Sequence, residues 1–311
     1  MVSGMAYDKQ SFLSGVAAGR NMESWPAFEK ADTGAFAFTI LLAGQTGDTY
    51  EFSMTIPTLG RVLVDWGDGT TTRHERYTSG AEHTYAKMGF HQIKVLGDFT
   101  SILLGKENSG YNEYAIVSLD TPLPRSCRAL KYFCKNCRNL ISITPLLCIK
   151  AAENITEATE AFRGCSSLSQ IPEGLFDGLI NCKSFDYCFY MSKIQDIPGG
   201  LFQDCVSARS FTECFTATPL ESIPINLFSN CPNIVGVGGC FSSCRELKSI
   251  PSDIFSYNPN IETFYGTFSG CSSVESSVPT LWEDFPDADG RSCFLGCVNA
   301  SNYGDIPPEW I

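Results

Sequence analysis

Alternating hydrophobic and polar residues mark two strands near the N-terminus, because successive side chains of a strand point to opposite faces. The apolar positions of these strands are Phe36, Phe38, Ile40 and Leu42, and then Tyr50, Phe52, Met54 and Ile56. Residues 44–48 lie between them as Gly-Gln-Thr-Gly-Asp, a composition typical of turns. The pattern therefore predicts two strands joined by a turn.

Two further blocks follow at short distances. Residues 62–65 (Val-Leu-Val-Asp) predict a strand that runs into a tight turn at Trp66-Gly67-Asp68-Gly69. Residues 83–85 (His-Thr-Tyr) are interpreted as part of a turn, which is followed by an alternating strand that continues to Val95. These blocks together predict a small β module over residues 35–105.

From residue 127 onward the pattern changes from alternation to repetition. Phenylalanines recur at positions 133, 162, 189, 215, 241, 268 and 294, at spacings of 29, 27, 26, 26, 27 and 26 residues. One repeat of this length cannot bury its own apolar side, whereas stacked repeats bury it together. The sequence therefore predicts a solenoid of about seven coils over residues 133–311, in which each repeat position becomes a column. Prolines that follow an Ile in most repeats should each end a short strand.

Two segments fall outside these patterns. Residues 106–132 are interpreted as a connector and as the entry to the solenoid. Residues 1–34 are interpreted as a leader in which Asp8 is suited to cap a helix over residues 9–22. This leader is either a frayed N-terminus or a helix that attaches the protein to a partner. Residues 7–20 resemble the start of small phage and prophage proteins of gut bacteria, and the resemblance implies attachment to phage tail proteins.

The composition and net charge of the chain disfavour some classes of binding partner. The chain has 311 residues, of which 43% are hydrophobic and 18% charged, so a packed core is expected. Its net charge of −12 repels phosphate backbones and anionic lipid headgroups, which disfavours nucleic acid and membranes as partners. The longest apolar stretch, residues 36–43, is too short to span a bilayer. The first twenty residues do not have the pattern of a secretory signal peptide.

The 15 cysteines all lie between Cys127 and Cys297, and their odd number argues against a fully paired disulfide framework. We interpret them as small buried hydrophobic residues in the columns of the solenoid. Cys134 and Cys137 form a C-x-x-C motif, which is a redox or half-zinc pattern in other proteins. Because a second such motif is missing, no metal site and no cofactor is predicted.

Candidate catalytic residues are few. Asp65 and Asp68 flank Trp66-Gly67 and are interpreted as holding that turn by hydrogen bonds to backbone amides. The three histidines, His74, His83 and His91, all lie in the β module. Neither a nucleophile with a base nor a phosphate-binding loop is recognisable in the sequence. The sequence therefore predicts a protein that is not an enzyme.

The polar positions between the columns are the best candidates for binding, because they face solvent in a solenoid. Tyrosines among small polar residues suit recognition of a glycan or a protein. On this basis Tyr187, Glu213 and Tyr265 are the predicted binding residues. The alternative is that these residues belong to an ordinary solvated face.

Two resemblances cover most of the chain. The W-G-D-G turn, the H-T-Y block and the glycine that follows resemble the PKD domain, which implies an immunoglobulin-like β-sandwich; His91 departs from that family, which usually has an aromatic residue there. The phrase A-F-x-G-C-x-x-L-x-x-I, which begins at Ala161 and ends at Ile171, resembles the BspA-like, DUF285-type leucine-rich repeats of bacterial surface proteins. Together they imply a mainly β fold and a binding role.

Three functions follow as expectations. The first is a phage tail-associated receptor-binding protein, assembled in the bacterial cytoplasm, that contacts a glycan or protein on a bacterial surface from the virion. The second is a bacterial cell-surface adhesin of the BspA type whose export signal is missing from the sequence. The third is a structural connector whose solenoid end docks another subunit, and a homo-oligomer is left open.

Overall fold

A computed structural model describes residues 35–43, 50–75, 78–105 and 112–311 of the chain, and Gly34–Ile311 form one compact unit. The predicted leader (1–34), its helix over residues 9–22 and the turn at 44–48 lie outside the described residues. The described chain is mainly β, with little helix. This confirms the coarse fold class that the sequence predicts.

Strands and short helices follow one another in this order within the described residues. The strands are β1 (Phe36–Leu42), β2 (Tyr50–Ile56), β3 (Thr58–Asp65), β4 (Thr71–Glu75), β5 (Thr78–Tyr85), β6 (Gly89–Phe99), β7 (Ile116–Leu119) and β8 (Ser142–Ile143). The helices are α1 (Leu281–Asp284) and the 3-10 turns Asn112–Tyr114, Ala152–Asn154, Tyr303–Asp305 and Pro308–Trp310.

The strands form two open sheets that share a core. The larger sheet has the order β4-β3-β6-β1-β7-β8, and the smaller one consists of β2 and β5. All pairs are antiparallel except β7 and β8, which run parallel. Phe38 of β1 and Phe52 of β2 pack across the two sheets with ring centroids 6.0 Å apart. The alternating apolar residues of β1 and β2 are therefore buried together, as the pattern predicts.

One sequence interpretation in this region is wrong. Residues 83–85 do not form a turn, because His83 pairs with Phe52 and Tyr85 pairs with Tyr50 at the end of β5. The turn comes after them, before β6 begins at Gly89. Strand β4 was not predicted, since its sequence Thr-Thr-Arg-His-Glu has no apolar alternation. It forms because β3 offers a complete antiparallel edge to it.

The larger sheet continues into the first repeat. Strand β7 lies within the predicted connector and pairs with β1, so that Phe38 faces Leu119. Strand β8, which lies in the first repeat, pairs in turn with β7. On the core side, the ring of Phe36 lies 6.0 Å from that of Phe133. The β module and the repeats therefore share one continuous hydrophobic core.

The recurring phenylalanines stand in a column, as the sequence predicts. From Phe162 to Phe294, successive rings lie 5.5 to 5.7 Å apart and within 11° of parallel. We number the repeats 1 to 7 by these residues, from Phe133 to Phe294. Each repeat also donates backbone hydrogen bonds to the next, for example from the Phe189 N–H to the Cys214 carbonyl at 2.8 Å. The repeats thus satisfy one another's backbone groups as well as their apolar surfaces.

Each repeat turns a corner at two left-handed residues four positions apart. In repeat 3 these are Tyr187 and Met191, with φ of 55° and 54°, and in repeat 4 they are Glu213 and Ala217, with φ of 52° and 57°. Such angles cost a non-glycine residue roughly 1 kcal/mol or more. The inter-repeat hydrogen bonds on either side of each corner offset this cost.

All fifteen cysteines are free thiols and all are buried, which confirms their interpretation as core residues. The structure adds a second reason for their use. The sulfhydryls of Cys165, Cys244, Cys271 and Cys297 each donate to a main-chain carbonyl of the preceding repeat at 3.2 Å. Cysteine therefore fills a small space and also satisfies a carbonyl group there.

The short strands expected before the prolines are mostly not formed. Apart from β8 in repeat 1, the described repeats carry one bridge on this side, between Gln170 and Asp196. Longer and weaker contacts, such as the bond from the Gln195 N–H to the Ser169 carbonyl at 3.4 Å, replace a regular ladder.

Candidate binding surface

A ladder of single parallel bridges runs along one side of the repeats. It joins Ser184, Ser210, Gly236, Thr263 and Asp289 in sequence. In each repeat, the residue after the bridge residue is buried in the core, and the second residue after it points away from the core. We call the outward residues at positions 184, 186 and 187, with their counterparts in the other repeats, the ladder face. All three predicted binding residues, Tyr187, Glu213 and Tyr265, lie on it.

Tyr187 and Glu213 contact each other across neighbouring repeats. The Tyr187 hydroxyl donates to Glu213 Oε1 at 3.2 Å. Partial burial, followed by the nearby Glu213 carboxylate, raises the pKa of Tyr187, so this hydroxyl stays protonated as a donor. Both residues have the left-handed backbone of the corner, which turns their side chains along the stack.

The aromatic cluster around Tyr187 contains residues that the sequence did not single out. Tyr190 lies 5.7 Å from the Tyr187 ring, and the guanidinium of Arg163 lies 5.5 Å from one ring and 4.8 Å from the other. Arg163 also donates to Glu160 at 2.8 Å. A cation held over two rings and by a carboxylate has little freedom, so this part of the surface is pre-organised.

The network extends to the first repeat. Lys135 pairs with Glu160 at 2.9 Å and lies 5.0 Å from the Tyr132 ring. Burial would raise the pKa of Glu160, but hydrogen bonds from Lys135 and Arg163 outweigh it and lower the pKa. Glu160 of repeat 2 is thus paired with both Lys135 of repeat 1 and Arg163 of its own repeat.

Tyr265 stands apart from Tyr187 and Glu213. It lies in repeat 6, is 55% exposed, and packs against the guanidinium of Arg291 at 5.6 Å. Arg291 is held by two hydrogen bonds to Asp289, at 2.9 and 2.8 Å. The structure therefore brings two of the predicted residues together and places the third in a second cluster.

A stretch without side chains separates the two clusters. In repeat 5 the outward ladder positions are Gly236 and Gly238, and the corner is Gly239. Gly236 and Gly239 are buried, and Gly238 is half-buried. The side chains of Ser210 and Thr212 would lie 3.8 Å from a Cβ placed on Gly236.

A carboxylate, an imidazole and a hydroxyl, the groups found together in some catalytic sites, lie close to one another in the β module. Asp68 Oδ2 is 2.7 Å from His83 Nε2, and Asp68 Oδ1 accepts the Thr70 hydroxyl at 2.6 Å and the Thr70 N–H at 3.0 Å. The His83 ring stacks on Trp66 at 5.0 Å. The Thr70 hydroxyl is thus bound to the Asp68 carboxylate, and the His83 imidazole is stacked on the Trp66 indole. These contacts hold the turn closed.

The C-x-x-C motif is enclosed by the core. Cys134 and Cys137 have no exposed surface. Burial, followed by the hydrogen bond with Cys137, raises the pKa of the Cys134 thiol. In the part of the chain that the structure describes, no cluster of three or more His, Cys, Asp or Glu side chains is arranged to hold a metal ion.

A shallow groove of about 530 Å³ opens on the proline side, where β8 meets repeats 2 and 3. Its lining includes Ile143, Gln170, Ile171, Glu173 and Asp196. It lies on another side from the ladder face and contains none of the predicted binding residues. No pattern in the sequence indicates this groove, because it depends on how the longer first repeat meets the second.

No protein-family model matches the chain, and a search of curated proteins finds no match. Among the helices of the described residues, none combines the length and the apolar character needed to cross a bilayer.

Proposed function

We propose that the chain is a non-catalytic recognition protein that binds a glycan or protein on a bacterial surface through its ladder face. In this proposal the two sheets are a PKD-like β-sandwich, and the repeats are a BspA-like leucine-rich-repeat solenoid of seven coils. The stacked phenylalanine column and the regular inter-repeat hydrogen bonds support the solenoid.

The arrangement of the ladder face carries the proposal. Exposed or half-buried tyrosines alternate with charged side chains that are fixed by ion pairs, hydrogen bonds and cation–π contacts. Fixed aromatic and polar groups lose little conformational entropy when a ligand binds. The potential catalytic groups of the β module, in contrast, are occupied with holding the W-G-D-G turn.

A phage tail-associated protein, attached by residues 1–34, is the setting that we propose first. Fifteen free and buried thiols favour assembly in the reducing bacterial cytoplasm, where disulfides rarely form. A BspA-type cell-surface adhesin is the alternative. A connector that docks through its C-terminal end is less favoured, because Trp310 already covers the last repeat and is 5% exposed.

The test is binding of the labelled full chain to a panel of intact bacteria by flow cytometry. Wild type should bind a few strains saturably, and Tyr187→Ala/Tyr265→Ala should lose that binding. Tyr257→Ala is the matched control, because Tyr257 is 62% exposed but lies outside the ladder face. Equal loss in the control would show that the ladder face is not the binding surface.

Binding of no strain by the folded protein would contradict the recognition role. The setting is tested separately by thiol titration of protein purified from its native source. Fifteen thiols after unfolding would support the phage setting, and paired cysteines would support the secreted adhesin.

A further inference from the structure

One edge of the repeats carries charges that change sign along the stack. This edge, which we call the turn edge, consists of five four-residue segments of successive repeats: 180–183 (Ile-Asn-Cys-Lys), 206–209 (Val-Ser-Ala-Arg), 232–235 (Pro-Asn-Ile-Val), 259–262 (Pro-Asn-Ile-Glu) and 286–289 (Pro-Asp-Ala-Asp). The last residues of the segments are, in order, two cations, a valine and two carboxylates. The turn edge immediately precedes the ladder face in each repeat.

Backbone hydrogen bonds fix the register of the five segments. The N–H of each last residue donates to the carbonyl of the last residue of the preceding segment, at 2.9 Å in all four cases. The bonded pairs, donor first, are Arg209 with Lys183, Val235 with Arg209, Glu262 with Val235, and Asp289 with Glu262. These residues therefore stand in one column, with about 4.8 Å between neighbours.

An exposed apolar column lies beside the charged one. It is formed by the first residues of the segments, of which Ile180 is 43% exposed and Val206 is 45% exposed. Pro232, Pro259 and Pro286 continue this column and are exposed as well. Apolar residues that are exposed in a continuous strip are typical of a surface that contacts another protein.

The charges of the column are not paired within the chain. In the described part of the chain, no hydrogen bond or ion pair engages the side chain of Lys183, Arg209 or Glu262. Lys183 and Arg209 are neighbours, and like charges on neighbouring strands are destabilising. Another pair of neighbouring repeats shows the favourable arrangement, since Lys248 there binds Glu221 at 2.6 Å.

A second copy of the chain would supply the missing partners. A two-fold axis at Val235 reverses the order of the column, so that Arg209 faces Glu262 of the second copy and Lys183 faces its Asp289. Each contact then occurs twice, because a two-fold interface is self-complementary. Copies in the parallel orientation would instead place like charges opposite each other.

The apolar column obeys the same symmetry. Reversal about Pro232 places Val206 against Pro259 of the second copy and Ile180 against its Pro286. Apolar residues thus meet apolar residues where cations meet carboxylates. The turn edge is therefore complementary to itself in one orientation, the antiparallel one.

We propose that the chain forms a two-fold homodimer through its turn edges, which run antiparallel. The shared strip is about 20 Å long, so the interface belongs to the small, transient class, and association is expected at micromolar concentrations or above. An antiparallel meeting of two edges leaves both ladder faces on the same side of the dimer. Two ladder faces could then bind one bacterial surface with increased avidity; this consequence rests on the proposed recognition function, whereas the dimer does not.

The test is sedimentation velocity of the full chain from about 1 to 200 µM. Wild type should show a monomer–dimer equilibrium that shifts toward monomer at high salt. Arg209→Glu and Glu262→Arg should each weaken the dimer by about tenfold or more, because each substitution affects two symmetry-related contacts. Arg209→Glu/Glu262→Arg restores opposite charges and should dimerise within about threefold of wild type.

Lys193→Glu is the matched control, because Lys193 is exposed and lies outside the turn edge. It should dimerise like wild type. The thermal melts of all variants should stay close to that of wild type, since the exchanged side chains form no ion pair in the monomer. Wild type that remains monomeric at every concentration would overturn the dimer.

The charge exchange also separates a second copy from an anionic partner. Loss of association in both single variants without recovery in the double variant would overturn the antiparallel pairing, and so would a loss confined to Arg209→Glu. The recognition function is judged separately. A monomeric Arg209→Glu variant should still bind bacteria, and that binding should still be lost when Tyr187→Ala/Tyr265→Ala is added.

Discussion

The backbone N–H of Phe294 donates to the carbonyl of Trp310 at 2.9 Å. In the preceding repeats the same donor reaches a residue of the next repeat, as Phe268 N–H reaches Cys293 O at 2.9 Å. The Trp310 ring also packs on the last column residue, with centroids 6.4 Å apart and planes inclined by 25°. Trp310 therefore replaces an eighth repeat in both hydrogen bonding and packing.

Because Trp310 covers the last repeat, its removal should destabilise the protein strongly, and the effect should be coupled to that of a substitution at Gly290. Trp310→Ala should lower the free energy of unfolding by about 3 to 5 kcal/mol, because it exposes the last repeat. Gly290→Ala should also destabilise the protein, because its Cβ would lie 2.1 Å from the Trp310 ring. In urea unfolding, the double variant should lose less than the sum of the two single losses. Additive losses would contradict a direct contact.

The buried imidazole of His91 predicts a stabilising substitution. Both ring nitrogens are buried without a hydrogen-bond partner, and the ring lies 4.3 Å from that of Tyr85. His91→Phe should raise the free energy of unfolding by about 1 to 2 kcal/mol, because it removes two unsatisfied polar atoms and keeps the aromatic contact. His91→Ala, as a control for packing, should lower it. A thermal melt in which His91→Phe is less stable than wild type would contradict this account.

A second stabilising substitution is expected at Ser192, which stands where other repeats have a buried cysteine. Its hydroxyl is buried without a partner, whereas Cys165 at the same position of repeat 2 donates to the Cys134 carbonyl at 3.2 Å. Ser192→Cys should stabilise the protein by about 1 kcal/mol, because the longer C–S bonds bring the donor closer to a carbonyl. The reverse change, Cys165→Ser, should destabilise it. Chemical denaturation under reducing conditions measures both, and the same sign for both would contradict the explanation.

Asp68 predicts an acid-dependent loss of stability in the β module. Burial would raise its pKa, but hydrogen bonds from Thr70 and His83 outweigh it and lower the pKa to about 2, from 3.8. A lowered carboxyl pKa stabilises the fold above pH 3.8, and this contribution is lost as pH falls toward 2. Because the turn is partly exposed, we expect about 1 kcal/mol. Unfolding between pH 6 and pH 2.5 should depend less on pH in Asp68→Asn; equal dependence would contradict the role of Asp68.

The sequence predicted the regular parts of the fold for physical reasons. Strand β2 buries every second side chain, β1 has its large apolar residues at every second position, and the phenylalanine column repeats at a fixed period, so all three leave periodic signals. Strand β4 is polar and β7 has four residues, so neither has a period to detect. Their formation depends on the partner strands that the fold supplies.

The binding surface was predicted only in part. Tyr187 and Glu213 were identified because they stand at polar positions between the repeat columns, and they do contact each other. Arg163 and Tyr190 were missed because they meet Tyr187 only once the repeats are in register.

The most direct test of recognition through the ladder face is a competition titration on one bound bacterial strain. Unlabelled wild type, Tyr187→Ala/Tyr265→Ala and Tyr257→Ala would each displace labelled wild-type protein. The account predicts that the double variant competes at least about tenfold more weakly than wild type, while Tyr257→Ala competes within about twofold. Equal competition by all three proteins would contradict it.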